Sequence, residues 1–193
     1  MSDDGWKAFS DRVAWDAAFH ATVESVARPD GAALALINDR NASVLVAVSA
    51  LMDRRSDTAE DDSPLTQEVA RLDAKLNVLM EIVNRLLLPQ AGLPSRLNLR
   101  FNAIGAVMPW AGLPPVGQPV LLKIHFDVCR ALPLELPGVR TAGPTDGKGF
   151  IVFEGLTEAV RDGIERLVFR QHRRQVAEAR AHSRPVESSS EGM

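Results

Sequence analysis

The chain has 193 residues, 46% of them hydrophobic, and a formal net charge of −3. That is enough apolar material for one or two small cores, and the mildly acidic balance argues against a nucleic-acid partner. A lone cysteine, Cys129, excludes an internal disulfide framework and suits a reducing cytoplasm. The opening MSDDGWKAF has no apolar stretch of the kind a secretory signal needs. Apolar runs such as Val44 to Met52 are too short to span a bilayer. The expectation is a cytoplasmic protein without membrane insertion.

In chain order, residues 4–27 read as a helix capped by Asp3 or Asp4 and stopped by Pro29-Asp30-Gly31. Phe9, Val13 and Ala17 line one side of it, and Trp15, Phe19, Val23 and Val26 another. A second helix is expected from about Ala32 to Arg54, with Leu34, Ile37, Val44, Val48 and Leu51 as its stripe. The charged stretch from Arg54 to Ser63 reads as a connection. Ser63 then offers an N-cap and Pro64 a first helical residue.

From Leu65 to Leu88 the apolar residues alternate at spacings of four and three. Leu65, Leu72, Leu79 and Leu86 take heptad position d, and Val69, Leu76 and Val83 take position a. A period of 3.5 keeps one seam facing a partner helix, so a left-handed coiled coil is expected. The alternative is an amphipathic helix lying on its own domain. Met80, Ile82 and Leu87 widen the stripe at positions e and g. A homotetramer is therefore favoured over a dimer, with parallel or antiparallel order open. Pro89, Gly92 and Pro94 end the helix.

Beyond Ser95 the period falls to two. Leu97, Leu99, Phe101 and Ala103 alternate with Arg96, Asn98, Arg100 and Asn102 in a strand closed by Gly105. A second strand covers Val120 to Val128. Ala131 to Leu136 and Val139 to Thr141 flank Pro137-Gly138 and are expected to form a hairpin. Gly149 to Phe153 makes another strand after a GPTDGKG loop, and a helix starts near Thr157 with Val160, Ile164, Leu167 and Val168 on one face. The fold class is α+β: N-terminal helices and a long coiled-coil helix, then a small antiparallel barrel with a closing helix. Four regions are expected: 1–62 helical, 63–94 oligomerisation helix, 95–182 barrel, and 183–193 a disordered tail.

No side-chain set in the sequence points to catalysis or a bound cofactor. GPTDGKG lacks a phosphate loop's spacing and a following helix, and reads as a hairpin loop. His125 and Cys129 lack a second ligand pair, and His20, His172 and His182 are scattered, so no metal site is expected. The basic run Arg170-Gln171-His172-Arg173-Arg174 reads as a solvated helix end.

Residues 95–174 resemble a PilZ domain. The segment GFIVFEGLTEAVRDGIERLVFRQHRR, Gly149 to Arg174, looks like that family's last barrel strand, its Leu-Thr/Ser-Glu connection and its closing helix. LNLRFNAIGAVMPW resembles the strand carrying the family's Asp/Asn-x-Ser-x-x-Gly motif. The resemblance implies a six-stranded barrel and, in ordinary members, cyclic di-GMP binding. Here the binding pattern departs from the family. Counting back from Gly105 puts Arg100 at the Asp/Asn position and Asn102 at the serine. Counting from Asn98 requires a two-residue insertion and puts Arg100 at the serine. Arg96 and Arg100 have the family's Arg-x-x-x-Arg spacing but sit within the strand, where alternation makes them solvent-facing. The expected function is a non-catalytic oligomeric adaptor that engages a protein partner without nucleotide. The alternative is a cyclic di-GMP receptor with a degenerate site using Arg96, Arg100 or the linker residues Arg54 and Arg55. The family's associations imply bacterial motility, surface polysaccharide or virulence pathways.

Overall fold

A computed structural model describes residues 2–53, 64–87, 92–109, 111–142 and 147–182. Helix α1 (Ser2–Ser10) leads into strand β1 (Trp15–Ser25), followed by helices α2 (Gly31–Asp53) and α3 (Pro64–Leu87). Strands β2 (Arg96–Phe101), β3 (Gly105–Pro109), β4 (Pro119–Phe126), β5 (Cys129–Thr141) and β6 (Lys148–Phe153) precede helix α4 (Glu158–His182). The six strands close an antiparallel barrel in the order β1-β2-β3-β6-β5-β4. The linker from Arg54 to Ser63, the Ser63 cap, most of GPTDGKG and the tail fall outside the described residues.

The single helix expected over residues 4–27 is corrected to α1 plus β1. Trp15, Phe19 and Ala21 point inward, whereas Asp16, Ala18 and Glu24 are exposed, the alternation of a strand. Apolar residues four apart satisfy both the helical and the strand period, so Trp15, Phe19 and Val23 fit either. Closure decides between them: β1 pairs with β2 through Trp15↔Phe101 to His20↔Arg96, and with β4 through His20↔His125 to Ser25↔Val120. The barrel thus takes its first strand from upstream of the heptad helix, as well as five strands from residues 95–182.

The expected hairpin at Pro137-Gly138 is also corrected, because β5 runs straight through both residues. Pro137 pairs with Leu121 of β4, and its carbonyl accepts the Glu154 N–H at 2.9 Å, on the side where β6 has already ended. The proline therefore removes a donor where no neighbouring strand would use it. Gly138 lies between Val120 and Phe153, and a β-carbon there would come within 2.3 Å of the Val152 carbonyl oxygen. What looked like turn chemistry is a close approach of two strands. Similarly, Gly105 begins β3, and the strand before it ends at Phe101.

Inside the barrel, Trp15 packs edge-on against Phe19 at 4.8 Å and stacks on Phe126 at 5.7 Å, with Phe101 completing the cluster. Val160, Ile164, Leu167 and Val168 of α4 are buried against this core. Helix α2 is long and apolar enough, by length and composition, to cross a membrane. Here it packs on β5 and α4 through Val44, Leu45 and Val48. Gly163 of α4 allows that approach, since a β-carbon there would lie 2.9 Å from Leu45 Cδ1. The buried Asn38 amide donates to the Leu34 and Gly155 carbonyls at 2.8 and 2.9 Å, and its Oδ1 accepts the Thr157 N–H at 2.9 Å. This bond caps the start of α4 from a second helix.

Candidate functional site: an exposed heptad seam and an altered strand

Helix α3 carries its apolar seam in the open. Val69, Leu72, Leu76, Leu79, Val83 and Leu86 are 43–76% exposed, and Val78 and Ile82 beside them are 60% and 48% exposed. The side chains of Leu65, Met80 and Leu87 lie outside the described ones. An amphipathic helix lying on its own domain would bury such a stripe. Among the described residues, the barrel core includes none from α3, which touches the barrel at β5. Covering each leucine or valine in a shared core is worth about 1.5–3 kcal/mol, and soluble monomers rarely leave a continuous apolar stripe in water. Position g is charged in the first heptad, where Glu68 pairs with Arg71 at 2.9 Å. It is apolar at Ile82, so the stripe broadens toward the C-terminal end.

The second candidate is the β2–β3 hairpin, where Arg96, Arg100, Asn102 and Gly105 lie. Arg96 is drawn across the barrel surface: it donates to the Ala18 carbonyl at 2.8 Å and pairs with Asp127 at 2.6 Å. Asn102 is buried and works as a turn-former, with its Oδ1 accepting the Ile104 N–H at 2.9 Å and its N–H bonding the Gly105 carbonyl at 3.1 Å. Its amide nitrogen donates to the Phe9 carbonyl at 3.0 Å, which ties the hairpin to α1. At Gly105 a β-carbon would meet the Ile151 carbonyl oxygen at 2.3 Å, so the glycine is required by packing against β6. Arg100 is exposed, with its guanidinium 5.6 Å from the centre of the Phe9 ring.

Helix α1, whose role sequence reasoning missed, explains this arrangement. Trp6 and Phe9 stack at 5.5 Å, and both contact Phe150, forming a small core with Val107 on the outer surface of β3 and β6. Gly5 permits the approach, because a β-carbon there would lie 3.2 Å from Val152 Cγ2. The i, i+3 pair Trp6/Phe9 next to Gly5 was the available signal. An open cavity of about 530 Å³ remains beside the helix, lined by Trp6, Asp16, Asn98, Arg100 and Lys148 among others. Asn102 and Gly105 are thus structural, Arg96 is occupied by Asp127, and Arg100 faces the cavity beside α1.

His125 and His20 use their Nδ1 atoms on the carbonyls of Arg130 and Pro94, at 2.7 and 2.5 Å. Among the described residues no group of three or more histidine, cysteine, aspartate or glutamate side chains is placed to hold a metal ion.

The family comparison fits this geometry. Residues 45–181 match the family described as "Atypical PilZ domain, cyclic di-GMP receptor". That span is well over half of the chain, and the chain belongs to the atypical PilZ family. The match begins within α2, so α1 and β1 lie outside it. Among solved structures, the chain is similar to a pathogenic protein from Xanthomonas campestris, described as a tetrameric PilZ domain self-assembled through an unusual helical bundle. The TM-score is 0.69 at 23% identity, over 92% of this chain and 98% of that one, a likeness of fold. No curated protein matches the sequence.

Proposed function

We propose that the chain is a non-catalytic adaptor that assembles through α3, as a tetramer ahead of a dimer, and presents several barrels to a protein partner in the bacterial cytoplasm without binding cyclic di-GMP. The observation that carries this reading is the open seam from Val69 to Leu86, none of whose described residues belongs to the barrel core. The breadth of the stripe at Val78 and Ile82 exceeds what one partner helix covers, which favours more than two strands. The helical-bundle tetramer of the Xanthomonas protein supports the same arrangement. Several barrels on one bundle raise avidity for a multivalent partner. Bacterial motility or virulence pathways are the setting that the family resemblance suggests.

The family description and the cavity beside Arg100 favour a second reading, a receptor with a degenerate site. Against it stand the loss of the motif serine, the engagement of Arg96 by Asp127, and the seating of α1 on Asn102. Two or three missing charge-assisted contacts at about 1.5–3 kcal/mol each weaken a micromolar site to about 0.1 mM or beyond. Isothermal titration calorimetry decides between the readings. The expected result is no specific heat with cyclic di-GMP up to about 100 μM. A micromolar dissociation constant lost in Arg100→Ala would establish the receptor instead.

A further inference from the structure

The adaptor reading leaves open where a partner binds, and α4 supplies a surface with its own chemistry. Phe169 is 56% exposed, although its helix buries Ile164, Leu167 and Val168 in the core. Arg166, Phe169 and Arg173 stand at i, i+3 and i+7, which places them along one ridge of α4. The α1–β1 turn lies opposite: Val13 is 42% exposed, and Arg12 forms an ion pair with Glu165 that fastens the turn to the helix. Between them lies an open cavity of about 420 Å³ lined by Val13, Val168, Phe169 and Arg166 among others. Its walls are mostly apolar, and the carboxylate among its described lining residues, Glu165, is engaged by Arg12.

The chain as a whole carries a net charge of −3, yet this ridge is cationic. Arg166 borders the groove and Arg173 follows it along the helix, while Arg170 and Gln171 of the same basic run turn to α2, bonding the Ser49 carbonyl and Met52, and Arg174 pairs with Glu178. Phenylalanine and arginine are enriched where protein surfaces bind tightly, because each gives large contact area or several donors on one side chain. The Arg12–Glu165 pair holds the two walls together before anything binds, which lowers the ordering cost of association.

Resting on the adaptor reading, we propose that the groove between α4 and the α1–β1 turn is the docking site for an acidic segment of a partner protein, one that inserts a bulky apolar side chain beside Phe169 and sets flanking carboxylates against Arg166 and Arg173. The charge of the ridge selects such a segment over a neutral or basic one.

The test uses the full chain and a fluorescein-labelled dodecapeptide in which a central Trp-Leu pair is flanked by alternating Asp and Glu, followed by fluorescence anisotropy at low salt. The expected result is saturable binding that weakens about tenfold or more in the Asn/Gln version of the peptide, and likewise in Phe169→Ser and Arg166→Glu. No binding at about 1 mM peptide, or equal binding by wild type and both variants, would overturn the proposal. Light scattering on the same samples separates this from the assembly reading. Full-size particles that ignore the peptide remove the groove and leave the bundle. Smaller particles that still bind it through Phe169 and Arg166 remove the bundle and leave the groove.

Discussion

The side-chain amide of Asn41 bonds the backbone of Glu135 at both ends: Nδ2 donates to the Glu135 carbonyl at 2.6 Å, and Oδ1 accepts the Glu135 N–H at 2.8 Å. Strand β6 ends at Phe153, opposite Gly138, so β5 has no strand neighbour on that side at Glu135. Asn41 of α2 takes the place of the absent strand, and it is fully buried in doing so. Replacing it by alanine leaves a donor and an acceptor without these bonds, a cost of about 2–4 kcal/mol. For a domain of this size that lowers the melting temperature by roughly 4–16 °C. Ser43→Ala is the control, because the Ser43 hydroxyl bonds only a carbonyl of its own helix turn, that of Asp39. Thermal unfolding of the two variants should differ clearly. Equal melting points would mean that α2 is held by its apolar contacts alone.

Gly138→Ala should destabilise strongly. Its β-carbon would press on backbone of β6, which has no flexible end to give way, so a cost of about 1–3 kcal/mol or more is expected. Gly31, at the start of α2 with nothing within 4 Å of an added β-carbon, should tolerate alanine or gain slightly. Urea midpoints of the two variants measure the contrast, and a neutral Gly138→Ala would contradict the tight packing of β5 on β6.

On the count back from Gly105, Asn102→Ser restores the serine of the family's binding motif. Serine is too short to bond both the Phe9 carbonyl and the Ile104 N–H, as asparagine does. A loss of about 1–2 kcal/mol is expected, with no cyclic di-GMP binding gained, because Trp6 and Phe9 remain packed on the outer surface of the neighbouring strands. Calorimetry on the variant checks this. Micromolar binding with unchanged stability would show that α1 does not obstruct that face.

These residues also show what was legible in the sequence. The α3 seam could be read because its 3.5 period runs unbroken, and a helix needs no distant residue to define its faces. Strands β2 and β4 were legible for the same reason, through alternation within one segment. Strand β1 was not, since Trp15, Phe19 and Val23 satisfy two periods at once and only pairing with β2, some seventy residues later in the chain, selects one. Pro137-Gly138 misled because a proline beside a glycine signals a turn, whereas the open side of β5 and the closeness of Val152 are properties of the closed barrel. The motif positions were found by spacing. The packing of α1 against Asn102 depends on a segment about ninety residues away, which no local pattern reports.

Burial pushes the Cys129 thiol above its ordinary pKa, outweighing a hydrogen bond from the Leu132 backbone that acts the other way. Above the unfolded value, near pH 8.5–9, the unfolded chain has released this proton while the folded chain keeps it. Stability therefore falls as pH rises through that window. Cys129→Ala should remove this part of the alkaline loss. Iodoacetamide should modify the native thiol far more slowly than the thiol in urea, as burial predicts. Equal rates in the two states would place Cys129 at the surface.

The most direct measurement is the mass of the particle in solution. Multi-angle light scattering on the wild type should give a multiple of the 21.0 kDa chain, four copies on the present account. Leu79→Asp and Leu76→Lys place charges in the shared core, a costly burial that separation of the helices relieves. Both variants should run as smaller particles with the barrel's melting behaviour retained. Wild-type mass in both variants, or a monomeric wild type, would contradict assembly through α3.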